Sequence, residues 1–168
     1  MTIKIGDRLP AGILSEFVET ASEGCSIGPN VVDVEAQTKG KTIAIFGLPG
    51  AFTPTCSAQH VPGYVHCAPD LRARGVNEIW CIAVNDAFVM GAWGRDQQAT
   101  GVVRMMGDGS ANYTKALGLD ADFTQRNMGI RSRRYSALVV DGVVTQFNLD
   151  ETGKFDVSNA ETLLKQLG

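Results

Sequence analysis

The sequence has no apolar run near the ~18 residues of a membrane-spanning helix, and its opening, MTIKIGDRLP, breaks any hydrophobic segment with Lys4, Asp7 and Arg8. These absences set membrane insertion aside and, with no secretory signal, predict a cytoplasmic protein. Basic charge is scarce as well: 15 Lys and Arg against 18 Asp and Glu give a net charge of -3, and RSRR at 131–134 is the one local basic cluster. No long cationic surface for a phosphate backbone follows, so nucleic acid is not an expected partner. Cys25, Cys56, Cys67 and Cys81 are too few for a disulfide scaffold at this length and too far apart for a zinc knuckle. No Cys-x-x-Cys pair occurs, which speaks against thioredoxin-like disulfide exchange. Repeats, low-complexity tracts and linker-like shifts are missing too, so one compact domain over 1–168 is expected.

What is present alternates between strand and helix. KTIAIFGL (41–48) and EIWCIAV (78–84) are apolar without a two-residue period, as for strands covered on both faces. VVRMMGD (102–108) reads as a further strand, and a short strand or hairpin is expected around Ile13 to Val18. A helix from Pro54 or Thr55 to Arg74 is closed by Gly75 and kinked near Pro62. The next, capped at Asn85 or Asp86, spaces Phe88, Ala92 and Trp93 helically, and a short helix over 110–118 starts at Ser110. YSALVVDGVVTQFNL is two strands joined by Asp141-Gly142, followed by a last helix from Ser158 to Leu167. The pattern predicts an α/β fold, a central mixed sheet flanked by helices, which a thioredoxin-like core satisfies along with other three-layer folds.

The chemistry concentrates in GLPGAFTPTCSAQH, residues 47–60. Cys56 falls in the first turn of a helix, where free N–H groups and the helix dipole favour negative charge and a thiol ionises more readily. Thr53 and Thr55 offer hydroxyls to a thiolate or a bound oxygen, while Pro49 and Pro54 stiffen the approach. A buried, inert cysteine at a helix start is the alternative, since free cysteine is among the most buried residue types.

The order Pro49, Thr53, Cys56, spaced P-x-x-x-T-x-x-C, resembles the peroxiredoxins of the type-5 or plant type-II group. IKIGDRLP, FGLPGAFTPTCSAQHVPGY, AVNDAFVMGAWG and RSRRYSALVVDG are each similar to a segment of that family, so the likeness spans nearly the whole chain. It implies a thioredoxin-fold thiol peroxidase without organic cofactor or metal, with Cys56 as the sulfur that meets the peroxide, Thr53 and Pro49 as pocket partners and Arg134 as the pocket arginine. Alternation places Arg133 and Arg134 on opposite faces of a strand, so that only one points into the site; the resemblance selects Arg134. The implied reaction is attack of Cys56 on one peroxide oxygen, leaving water or alcohol and a cysteine sulfenic acid. Hydrogen peroxide and small alkyl hydroperoxides are both expected substrates, in a pocket holding little more than an O–O bond. The family likeness also implies a homodimer, with Phe52 and Trp93 as candidate contacts, although a core position is the first reading for Phe52, Phe88 and Trp93 alike.

Cys81 matches the place where plant-type relatives carry a resolving cysteine, yet it sits in an apolar strand, and a disulfide requires Cα atoms within roughly 7 Å. Cys67, eleven residues beyond Cys56, is about 16 Å further along an intact helix and reads as structural or surface. Cys25 reads as an exposed loop thiol. GKFDVSNAE holds no cysteine, which removes the carboxyl-terminal resolving position of animal type-5 relatives. Two routes are left: a Cys56–Cys81 disulfide reduced by thioredoxin, or attack on the sulfenic acid by glutathione followed by glutaredoxin, the second being favoured. Competing readings are a Cys-His hydrolase using His60 or His66, a metal site from Cys56, His60, His66 and Cys67, and a slow redox sensor or holdase. No orienting Asn or Asp supports the first and no paired ligand spacing supports the second, so His60 reads as a structural histidine on the helix face.

Overall fold

A computed structural model describes residues 1–18 and 28–168; Cys25 lies outside them. In chain order the elements are β1 (Ile13–Glu16), β2 (Asn30–Asp33), α1 (Val34–Thr38), β3 (Thr42–Gly47), a π-helical segment (Cys56–His60) running into α2 (Val61–Ala73), β4 (Glu78–Ala83), α3 (Ala87–Asp96) and β5 (Arg104–Gly107). Then follow α4 (Asn112–Ala116), β6 (Asp120–Asp122), a 3-10 turn (Thr124–Arg126), β7 (Ile130–Ser132), β8 (Tyr135–Val140), β9 (Val143–Leu149) and α5 (Ala160–Gln166). Seven strands form one mixed sheet in the order β2-β1-β5-β4-β3-β8-β9, while β6 and β7 pair separately.

The unalternating apolar runs behave as their composition dictates. In β3, Ala44 and Phe46 join a core with Tyr64, Leu71, Trp93 and Leu163 on one face of the sheet, whereas Ile43 and Ile45 join Val34, Tyr113 and Leu117 on the other. Burying both faces leaves no polar positions, hence no two-residue period. β3 and β4 are parallel, as are β4 and β5, and the antiparallel β8 closes on β3. The Asp141-Gly142 hairpin forms with φ of 49° and 76°, the left-handed pair that a tight hairpin turn requires.

Register then places the site. Gly47, the last residue of β3, stands opposite Tyr135, the first of β8, so the chain leaving β3 towards Cys56 passes beside Arg134. Tyr135 also faces Leu149 of β9, which brings Asp150 alongside, and its N–H donates to the Arg134 carbonyl at 3.0 Å. Gly47 is required for this closeness: a Cβ there would lie 2.0 Å from the Tyr135 ring.

Several local expectations need correction. The short helix does not start at Ser110; it begins at Asn112 after Ala111 with φ 59°, and the buried Asp108 carboxylate accepts from Tyr113 and Thr114 N–H at 3.2 and 2.7 Å. The bend expected near Pro62 is a π-helical widening just before it, with Val61 N–H donating to the Cys56 carbonyl. Of the three aromatics read as core, Trp93 is fully buried, but Phe52 and Phe88 are 55% and 50% exposed. Phe88 lies near the start of α3 and leans on Phe17, while Phe52 occupies a left-handed turn at φ 61°.

Candidate active site

Cys56 begins the π-helical segment beyond the carboxyl end of β3, where residues 54–55 are already helical and the first turn is closed by Ser57 N–H to the Thr53 carbonyl at 3.0 Å. In parallel sheets this end of the strands is where ligand sites gather. The Cys56 side chain is fully buried, and Arg134 Nη2 donates to its sulfur at 3.4 Å.

The guanidinium is itself held. Arg134 Nη1 lies 3.0 Å from His60 Nδ1, and His60 Nε2 lies 3.1 Å from the Ser158 carbonyl. A carbonyl only accepts, so Nε2 carries the proton and Nδ1 accepts from Arg134. The ring is packed against Phe46 and Phe155, with centroids 4.9 Å away in each case. Burial in this box, together with the Arg134 charge and against the Ser158 contact, lowers the His60 pKa to about 3, so the imidazole is neutral at physiological pH. Ser158 is anchored in turn by the buried Asp150, whose carboxylate accepts from Ser158 Oγ at 2.6 Å and from Val157 and Ser158 N–H at 2.7 and 3.2 Å. Tyr64 hydroxyl donates to the same Ser158 carbonyl at 3.1 Å. Sequence reasoning missed Asp150 and Ser158, since nothing local marks a residue whose partners are set by strand register. His60 was visible as Cys-x3-His, but its partner, more than seventy residues away, was not.

Pro49, Thr53 and Arg134 line one cavity of about 540 Å³. Thr53 Oγ1 donates to the Gly50 carbonyl at 2.7 Å. The expectation of a hydroxyl donated to sulfur or peroxide is corrected: in this tight turn its proton is spent, leaving oxygen lone pairs. Asn85 Oδ1 fixes the same loop by accepting from Ala51 N–H at 2.9 Å, and Trp93 Nε1 donates to Ser57 Oγ at 3.0 Å. Arg133 lines the cavity together with Arg134. The alternation argument fails because both residues lie in the link between β7 and β8, outside either strand.

Cys81 is fully buried in β4 and belongs to the same core as Cys56. Burial, reinforced by the neighbouring Cys56 charge and only partly opposed by Arg134, pushes its thiol pKa well up. Cys67 is buried in α2, with its thiol pKa also raised, first by burial and then by Glu161 and Asp70. The hydrolase reading meets an obstacle: both His60 nitrogens are engaged elsewhere. The four metal-ligand candidates diverge, with His66 exposed and the others buried, and among the described residues no group of three or more ligating side chains assembles. A second cavity of about 500 Å³, lined by Glu16, Glu78 and Arg104, contains none of the candidate residues.

Residues 4–164 match the Redoxin family. Peroxiredoxin-2D of Arabidopsis thaliana is 44% identical over 98% of each chain. The reduced Prx3 of Vibrio vulnificus in complex with hydrogen peroxide is 42% identical, with a TM-score of 0.91 over 99% of this chain and 100% of that one. A Burkholderia cenocepacia structure described as a candidate thioredoxin reductase is 57% identical, with a TM-score of 0.96 over 100% and 99%. Relatives at 44% and 36% identity carry chloroplastic and mitochondrial names, so the expected cytoplasmic location is not a property the family fixes. Among the described residues, no helix is long and apolar enough to cross a membrane. The thioredoxin-like α/β fold and the match across nearly the whole chain agree: the protein belongs to the Redoxin family, among the peroxiredoxins of the plant type-II group, and is a thiol-dependent peroxidase.

Proposed function

We propose that Cys56 is the sulfur that reduces the peroxide, with Arg134, Thr53 and Pro49 forming its pocket. The contact that carries this reading is Arg134 Nη2 on Cys56 Sγ at 3.4 Å. A guanidinium N–H aimed at a buried sulfur lowers the cost of negative charge there and faces the oxygen on which charge develops as the O–O bond breaks. Thr53, its own proton given to Gly50, accepts from the peroxide O–H and sets its direction. Pro49 shapes the wall without adding an N–H that would compete for the oxygen. The sulfur–oxygen bond forms, the distal fragment leaves as water or alcohol, and Cys56 becomes a sulfenic acid.

A thiol then returns two electrons. Cys81 has a raised pKa and sits in a central strand, a poor position for a nucleophile, which favours glutathione with glutaredoxin over an internal disulfide reduced by thioredoxin. The exposed Phe52, centroid 6.3 Å from Trp93, supports a homodimer meeting near the active-site loop, and sedimentation velocity showing a monomer at micromolar concentration would remove that part of the reading. The decisive experiment is steady-state peroxide reduction with Cys56→Ser. Turnover is expected to fall to background, and full turnover in the variant would transfer the chemistry to another residue.

A further inference from the structure

The cavity lined by Pro49, Thr53 and Arg134, the arginine that touches the buried Cys56, is larger than a peroxide needs. Its volume of about 540 Å³ is typical of sites for small organic ligands, and hydrogen peroxide fills only a corner of it. Pro49, Pro54, Ala121, Phe123, Met128 and Phe155 give it apolar walls.

The charges on its rim do not balance. Asp150 is spent on Val157 and Ser158, and Glu151 pairs with Lys154. Arg134 is committed to His60 and Cys56. Arg126 and Arg133 remain: both line the cavity, Arg126 stacks over Phe123 at 5.5 Å, and among the described residues neither makes an ion pair with a carboxylate. A chain of net charge -3 therefore places uncompensated positive charge beside apolar surface at this opening.

We propose that the mouth selects carboxylate-bearing organic hydroperoxides. The carboxylate sets against Arg126 and Arg133, the hydrocarbon body lies along Phe123, Met128 and Phe155, and the O–O bond reaches Cys56. This rests on the reading of Cys56 given above. In the step itself the Cys56 sulfur gains the terminal, hydrogen-bearing oxygen, the O–O bond breaks, sulfur is oxidised by two electrons, and the alkoxide takes up the thiol's proton to leave as the hydroxy acid. At partly exposed guanidiniums each charge contact adds up to about fivefold in rate and is weakened by salt.

The test is single-turnover oxidation of the reduced protein, without added thiol, by a hydroperoxyoctanoic acid, its methyl ester and hydrogen peroxide, each quenched and read by intact mass. The acid is expected to react about tenfold faster than the ester at low ionic strength. Raising the salt to 0.5 M, or introducing Arg126→Gln with Arg133→Gln, should bring the ratio towards one. Equal rates for acid and ester in the unaltered protein would overturn the proposal, as would a ratio insensitive to both salt and the double variant. A charge effect confined to the later thiol-dependent step would also overturn it, assigning the arginines to the reductant. Absence of Cys56 oxidation by hydrogen peroxide would instead refute the peroxidase role of Cys56, a separate and distinguishable result.

Discussion

At His60 one ring does two jobs that different measurements can separate. As a neutral Nε2–H imidazole it donates to Ser158 and accepts from Arg134, and so orients the guanidinium that touches Cys56. His60→Leu removes both contacts. Its rate constant for oxidation by hydrogen peroxide should fall by up to about a hundredfold, the scale of a misplaced catalytic group. His60→Gln offers an acceptor at one end and a donor at the other and should recover much of that loss, a rescue that mere packing would not give. Stability carries the second signature. Folded His60 has a pKa of about 3 against an ordinary 6.5, so the unfolded chain binds a proton that the folded one refuses. Its effect on stability is absent above pH 6.5 and grows as the pH falls towards 3. Between pH 7 and pH 5 this group should cost the wild type about 2 kcal/mol. Both variants should lose that increment in denaturant titrations at the two pH values; an unchanged difference would mean that His60 is not held neutral.

The segment from Cys56 to His60 has the loosest helical geometry near the site and the clearest single fastening. Pro62 has no N–H for the preceding turn, and the widened bond from Val61 to Cys56 takes up the slack. The Trp93 indole then fastens Ser57. Cys56 and Cys81 are unbonded in this arrangement, and because Cys81 is fixed in β4 the movement that would join them falls to this segment. Trp93→Phe keeps an aromatic ring but deletes the hydrogen bond, about 1 kcal/mol, together with part of the buried indole, and should raise the share of opened molecules at least about fivefold. After one equivalent of peroxide without external thiol, intact mass should show more Cys56–Cys81 disulfide in Trp93→Phe than in wild type. No disulfide in either protein would show that Cys81 is not a resolving thiol. Much of this element was legible in advance: the helix start at Pro54 or Thr55, the disturbance near Pro62, the Asp86 cap and the closing hairpin all follow from local chemistry. What was hidden depended on partners distant in sequence. β2 and β6 carry too few apolar residues to show a period, the aromatic exposure at Phe52 and Phe88 depends on how α3 packs, and Arg133 escaped strand alternation because it is not in a strand.

Across the whole molecule the sheet has one slender joint. β1, which carries β2 at the sheet edge, meets β5 through only two paired positions, Ser15 with Gly107 and Glu16 with Met106. Arg104 strengthens it: Nη2 donates to Glu16 at 2.6 Å, Nη1 donates to Glu78 of β4 at 2.9 Å, and the guanidinium lies 5.7 Å from the Trp80 ring centroid. Lys41 reaches the same Glu78 at 2.5 Å, just before β3, so a single charge network spans three strands of the sheet. Glu16 and Glu78 side chains are only 10% and 19% exposed, so removing Arg104 strands the largely desolvated Glu16 and leaves Glu78 only Lys41 and the Trp80 indole as donors. Arg104→Met, which keeps much of the volume, should cost about 2–3 kcal/mol, less than a fully buried pair because water reaches part of the cluster. In a chain of this size that is a fall in Tm of roughly 5–10 °C. Adding Glu16→Gln should recover part of the loss, because the two changes act on one contact and do not add. Glu16, Glu78 and Arg104 line the cavity that contains none of Pro49, Thr53 and Arg134, so peroxide oxidation measured well below Tm should be unaffected. A Tm within a degree of wild type would show that the edge hairpin is held by its backbone ladder and apolar contacts alone.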